Sequence, residues 1–132
     1  MLSNALREIQ TAIDGLLYTS ETDSSFEIVH WAKRDTIRSS ADLLKLIGQS
    51  SGLPIENVGL AEFFHDLILN QEWHDAEGKK TVERFRNLLA ILKEQLTDLK
   101  VFKVGEVEVD IYIVGRTVTG EWAGVMTTAV ET

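Results

Sequence analysis

The chain has no cysteine among its 132 residues. Disulfides, thiolate nucleophiles and zinc–thiolate centres are therefore excluded, and a reducing, cytoplasmic setting is the expectation. No apolar run approaches the ~20 residues needed to cross a bilayer. The opening stretch Met1-Leu2-Ser3-Asn4-Ala5-Leu6-Arg7-Glu8 lacks the charged and apolar blocks of a secretory signal. Base is scarce: 13 Lys and Arg stand against 21 Asp and Glu, for a net charge of −8. A domain that holds nucleic acid by its phosphates carries a basic footprint. This one should be repelled by DNA and attracted to a basic protein or a cation. The nucleophile turn GxSxG, the P-loop and the GxGxxG fingerprint are also missing.

What is present describes an ordinary globular chain. The apolar fraction is 44% and the charged fraction 26%, which at this length reads as a single domain over residues 1–132. The acid is concentrated in three segments. Residues 1–32 carry net −4, residues 61–80 net −3 and residues 106–132 net −4, while 33–60 and 81–105 are net +1 and +2. The fold either leaves these segments as separate solvated surface or gathers them into one acidic face.

Periodicity divides the chain into a helical part and a strand part. Leu2, Leu6, Ile9, Ile13 and Leu16 repeat at helical spacing, which predicts a helix over about 3–17. The polar run 19–25 reads as a loop and Phe26–Trp31 as a strand. Ser40 is a candidate cap for a helix over 41–47, closed by Gly48, and 49–54 reads as a loop in which the residue before Pro54 is extended. Leu60–Leu69 is a short helix candidate with Phe64, Leu67 and Ile68 as its buried stripe. After a polar connection over 71–78, Val82, Phe85, Leu89, Leu92, Leu96 and Leu99 predict a long helix over about 80–99. The period then falls to two. Val107, Val109, Ile111 and Ile113 alternate with Glu108, Asp110, Tyr112 and Val114, a strand with one wet face. Val101–Val104 precedes it through a Gly105-Glu106 turn, and Trp122–Val130 follows it through Thr119-Gly120. The fold class is α+β, mostly helical at first and ending in an antiparallel β-meander.

Few residues carry obvious chemistry. His65-Asp66 and His74-Asp75 are types that ligate divalent ions, but a metal site needs further ligands and His30 is the only other histidine. Glu106, Glu108 and Asp110 are either acid–base candidates or the solvent face of a strand. Gly115 and Gly120 have phosphate-loop spacing without the Lys-Ser/Thr that cradles phosphate, so they read as hairpin punctuation. Trp73, in an acidic loop, is either an interface anchor or a cap on the long helix's apolar end. The final Val130-Glu131-Thr132 would present a carboxylate and a hydroxyl, hard oxygen donors suited to Mg²⁺ or Ca²⁺.

The segment Val104-Gly105-Glu106-Val107-Glu108-Val109-Asp110-Ile111-Tyr112-Ile113-Val114-Gly115 resembles the Leu-Gly-Glu-Val-Glu-Leu-Asp-Val-Tyr-Val-Ile-Gly segment of the cyanobacterial nuclease A inhibitor family. Ala123-Gly124 through Val130-Glu131-Thr132 is similar to that family's ending. Asp14-Gly15-Leu16-Leu17, Ser20-Glu21, Phe26-Glu27, Trp31 and Gln71-Glu72-Trp73 match it in order and spacing. Residues 33–60 diverge, and nothing is carried over there.

The resemblance implies a protein inhibitor, not an enzyme, needing no cofactor of its own. The partner it implies is a sugar-non-specific DNA/RNA endonuclease of the ββα-metal type, bound 1:1. The implied fold is a three-layer α/β/α sandwich similar to the plant PR-1 fold, with a central mixed sheet. The implied contacts are Glu21, Glu72, Trp73 and Thr132, with the Thr132 hydroxyl reaching the nuclease's catalytic Mg²⁺. Glu72 stands where the family has aspartate, the same charge on a side chain one methylene longer. Two other readings are open on the residues alone: an acidic binding module for a different basic protein, and a metal phosphohydrolase using His65, Asp66, His74 and Asp75.

Overall fold

A computed structural model describes residues 4–19, 22–31, 41, 42, 45, 47, 52, 54–65, 67, 68 and 76–130. Helix α1 spans Asn4–Ile13. It stops four residues short of the expected end because Gly15 takes a left-handed φ of 72°, which glycine adopts without a Cβ penalty. The Leu16 amide then donates to the Ile13 carbonyl at 3.0 Å. Of residues 19–25, expected as a loop, the described ones lie mostly in two strands: β1 (Leu17–Thr19) pairs antiparallel with β2 (Asp23–Ser25). Strand β3 (Glu27–Trp31) follows as expected. Of the helix expected over 41–47, the described positions 41, 42, 45 and 47 are helical.

Strand β4 (Ile55–Val58) had no clear signal in the sequence. It is short and lies at a sheet edge, paired only with β5. Helix α2 covers Leu60–His65 and buries Phe64 completely, with Leu67 and Ile68 half-buried beyond it. Helix α3 runs over Ala76–Gln95. Its buried stripe is Val82, Phe85, Leu88, Leu92 and Leu96, and Leu89 is only half-buried. The expected end at Leu99 is corrected. The Leu96 amide closes on the Leu92 carbonyl, the chain is already a strand at Thr97, and Asp98 sits at φ 53°. Leu99 continued the helical count by coincidence.

Strands β5 (Thr97–Val104), β6 (Glu108–Arg116) and β7 (Trp122–Val130) form the meander. Among the described residues the five-stranded order is β3-β7-β6-β5-β4, and every pairing is antiparallel. That replaces the mixed sheet implied by the resemblance. Each of the three long strands is joined to the next by a short turn, which only an antiparallel pair permits.

One face of the sheet presents Val101, Val109, Ile111, Ile113, Ala123, Val125 and Ala129 to α1, α2 and α3. The opposite face was expected to be wet, and this is corrected. Phe102, Val104, Val114 and Trp122 are buried there with Ile47, and Val29, Trp31, Ile55 and Tyr112 pack around them. The Arg116 guanidinium lies 5.1 Å from the centre of the Trp122 ring, and the Trp122 indole Nε1 is buried without a hydrogen-bond partner among the described residues. Val107, counted in the alternation, is 53% exposed in the β5–β6 turn.

Helices α1 and α3 run antiparallel. Arg84 donates to the carbonyls of Ala12 and Asp14, while Gln95 donates to Glu8 at 2.8 Å. The first turns of α3 therefore extend past the C-terminal end of α1, where the β1–β2 hairpin begins.

The β5–β6 turn leaves no room at Gly105. Its φ is 122°, and an added Cβ would lie 2.2 Å from the Glu108 carbonyl oxygen. Gly105→Ala is expected to cost about 3 kcal/mol or more and to lower the thermal midpoint by about 10 °C, measured by circular dichroism or calorimetry.

Candidate functional site

The chain assembles one polar end from three elements. Phe26 forms the corner between β2 and β3. It is 6% exposed and packs edge-on to Phe85 of α3 at 6.0 Å and to Tyr18 of β1 at 6.4 Å. This aromatic corner binds the hairpin to the first half of α3. Tyr18 also stacks on Phe63 of α2 at 5.8 Å.

A hydrogen bond joins the hairpin to β7. Thr127 occupies an inward position between Val125 and Ala129 and is 2% exposed. Its hydroxyl donates to the Ser25 carbonyl at 3.0 Å, with the Ser24 carbonyl at 3.4 Å. A buried hydroxyl needs a partner, and β2 supplies it. The clamp leaves a groove of about 310 Å³ between β2 and the C-terminal half of β7. Asp23, Ser24, Ser25, Glu27, Met126, Thr127 and Thr128 line it.

The electrostatics of this end are negative. Glu27 lies opposite Met126 on β3, while Asp110 and Glu108 on β6 lie opposite Thr128 and Val130 of β7. Glu27 thus flanks the middle of β7, and Asp110 and Glu108 flank its last residues. Tyr112, two residues along the same face from Asp110, has its phenol held above the ordinary tyrosine range by burial and by the Asp110 charge.

The expected contact residues Glu21, Glu72, Trp73 and Thr132 all lie outside the described residues. The described neighbours of Glu21 and Thr132 meet. Asp23 and Thr128 line one groove. Val130, beside Thr128 on β7, is the last described residue before Thr132. Ala76 opens α3, about 13 Å along its axis from Phe85 of the aromatic corner. The hairpin groove itself had no motif to announce it. Its one sequence signal was a threonine at an inward position of an otherwise apolar alternation.

The two described histidines stand apart. His65 is exposed on α2, and His30, at the opposite end of the sheet, meets Glu121 Oε1 through its Nε2 at 3.2 Å. Asp66, His74 and Asp75 lie outside the described residues. Among the described residues no three His, Asp or Glu side chains could hold a metal ion. Nor is any described helix long and apolar enough to cross a membrane.

A family model described as "Nuclease A inhibitor-like protein" matches residues 3–132. No curated protein matches the chain significantly. With nearly every residue inside the matched region, the chain belongs to the nuclease A inhibitor-like family.

Proposed function

We propose that the chain inhibits a sugar-non-specific ββα-metal DNA/RNA endonuclease by occupying its Mg²⁺-containing active site. Family membership over residues 3–132 carries the reading. The negative end of the sheet supports it. A nuclease cleft is built to hold polyanion, so it is cationic and contains a divalent ion. An acidic protein complementary to that cleft competes with substrate for it. In this reading the protein is not itself an enzyme, and it binds 1:1 in the cytoplasm through one domain. Its architecture is a three-layer, PR-1-like sandwich, a view supported by the apolar second face of the sheet and by Ile47 buried on it.

Three contributions make up the mechanism. The net charge of −8 steers encounter with a cationic cleft, an effect that salt screens. Glu21 and Glu72 face basic groups, and Trp73 supplies desolvated contact area at the centre of the interface. Thr132 brings a hydroxyl to the nuclease's Mg²⁺ and displaces water, so the ion no longer organises a scissile phosphate. The meeting of Asp23 and Thr128 in one groove supports a single contact surface for Glu21 and Thr132 over scattered acid.

The primary experiment is plasmid degradation by a ββα-metal nuclease with and without the protein. Protection is expected, and undiminished cleavage at stoichiometric excess would overturn the reading. Deleting Thr132 should weaken inhibition strongly with an unchanged thermal midpoint, because a chain end contributes little to the core; equal inhibition by the truncated chain removes metal capping from the mechanism. Trp73→Ala should raise the inhibition constant about 30-fold, equivalent to about 2 kcal/mol. A lower thermal midpoint with unchanged inhibition would instead make Trp73 a packing residue. The association rate constant, followed by stopped-flow fluorescence, should fall steeply with ionic strength, and a flat profile would refute steering.

A further inference from the structure

The groove between β2 and β7 is not accounted for by the four expected contacts. It measures about 310 Å³, and its lining carries two carboxylates, four hydroxyls and one thioether, with no lysine or arginine. This is near the lower limit for a small-molecule site and is suited to one long side chain. Its walls are fixed, because the Thr127 hydroxyl bonds the β2 carbonyls and Phe26 anchors the corner beside them. Among the described residues, neither Asp23 nor Glu27 is in an ion pair. Asp110 stands opposite Thr128 and adds a third negative charge beside the groove.

We infer that this groove receives a single lysine or arginine side chain from the nuclease, as a contact additional to Glu21, Glu72, Trp73 and Thr132. The inference rests on the inhibitor reading. The chemistry of the walls selects the occupant. Carboxylates at the rim repel phosphate and pair with an ammonium or guanidinium. The serine and threonine oxygens accept its remaining N–H groups. Met126 covers the aliphatic stem. Among the described residues no three His, Asp or Glu side chains stand together to hold a metal ion, so a divalent cation is not the occupant. The position agrees as well: Asp23 is two residues from Glu21, and Thr128 is four from Thr132. A cleft that binds polyanion carries basic side chains around its metal, so a groove beside the inhibitor's contact segments meets one of them.

A side chain held in a walled groove slows dissociation, whereas net charge alone changes association. The test compares two double variants of equal charge change. Asp23→Asn with Glu27→Gln alters the groove. Glu56→Gln with Glu94→Gln removes two exposed carboxylates from β4 and α3, away from the groove. Association and dissociation rates with the nuclease are measured for both and for the parent chain, together with thermal midpoints. All four side chains are exposed, so the midpoints should be nearly unchanged. Both variants should associate somewhat more slowly. The groove variant alone should dissociate about 10- to 100-fold faster, and Glu27→Gln alone should act in the same direction. Dissociation of the groove variant within twofold of the parent, while the parent still inhibits, overturns the groove contact and leaves the inhibitor reading intact. A parent chain that inhibits no ββα-metal nuclease overturns both.

Discussion

The two-sided burial of the β5–β6–β7 meander is the constraint on which the rest of the molecule depends. Ile111, Ile113 and Val125 on one face, and Val114 on the other, are completely buried. Each full burial of such a side chain is worth about 1.5–3 kcal/mol. The helical face is closed by α1, α2 and α3. Because both faces of the central strands are apolar, register is strongly specified: a slip of one residue would exchange the two sets of side chains and mismatch both layers.

That fixed register carries consequences to the end of the sheet. With β6 and β7 locked together, Glu108 and Asp110 stand opposite Val130 and Thr128. With β3 locked to β7, Glu27 stands opposite Met126. Carboxylates distant in sequence are thereby brought to one end of the sheet without any attraction between them. Their mutual repulsion is a cost that the core offsets, as is common where a surface is shaped for a partner of opposite charge. The Thr127 hydroxyl extends the arrangement by one more element, since it requires a buried acceptor and the β1–β2 hairpin supplies one.

The elements that sequence reading located best are those whose pattern is set by their own residues. The Trp122–Val130 strand, its Thr119-Gly120 turn and the Gly105-Glu106 turn all occur where alternation and glycine placed them. The α3 stripe was legible through most of its length, and the error came at Leu99, where helical and strand spacing both fit one leucine. The β1–β2 hairpin was misread because its serines and threonines are loop formers locally, and what holds them is Thr127, about 100 residues away. β4 was missed because a four-residue edge strand has little pattern of its own. The contacts expected at Glu21, Glu72, Trp73 and Thr132 rest on resemblance to a family alone; no periodicity distinguishes Glu21 or Thr132 from any other polar residue.

By itself, the sequence determined the fold class, the strands of the meander, the negative charge and the family, because these depend on composition and on spacing within short stretches. Only the tertiary structure decided that the second face of the sheet is buried, that the polar run after α1 is a hairpin, and that a walled acidic groove lies beside β7. Those features depend on which residues meet across long separations, and a local pattern holds no information about a partner that only chain folding brings near.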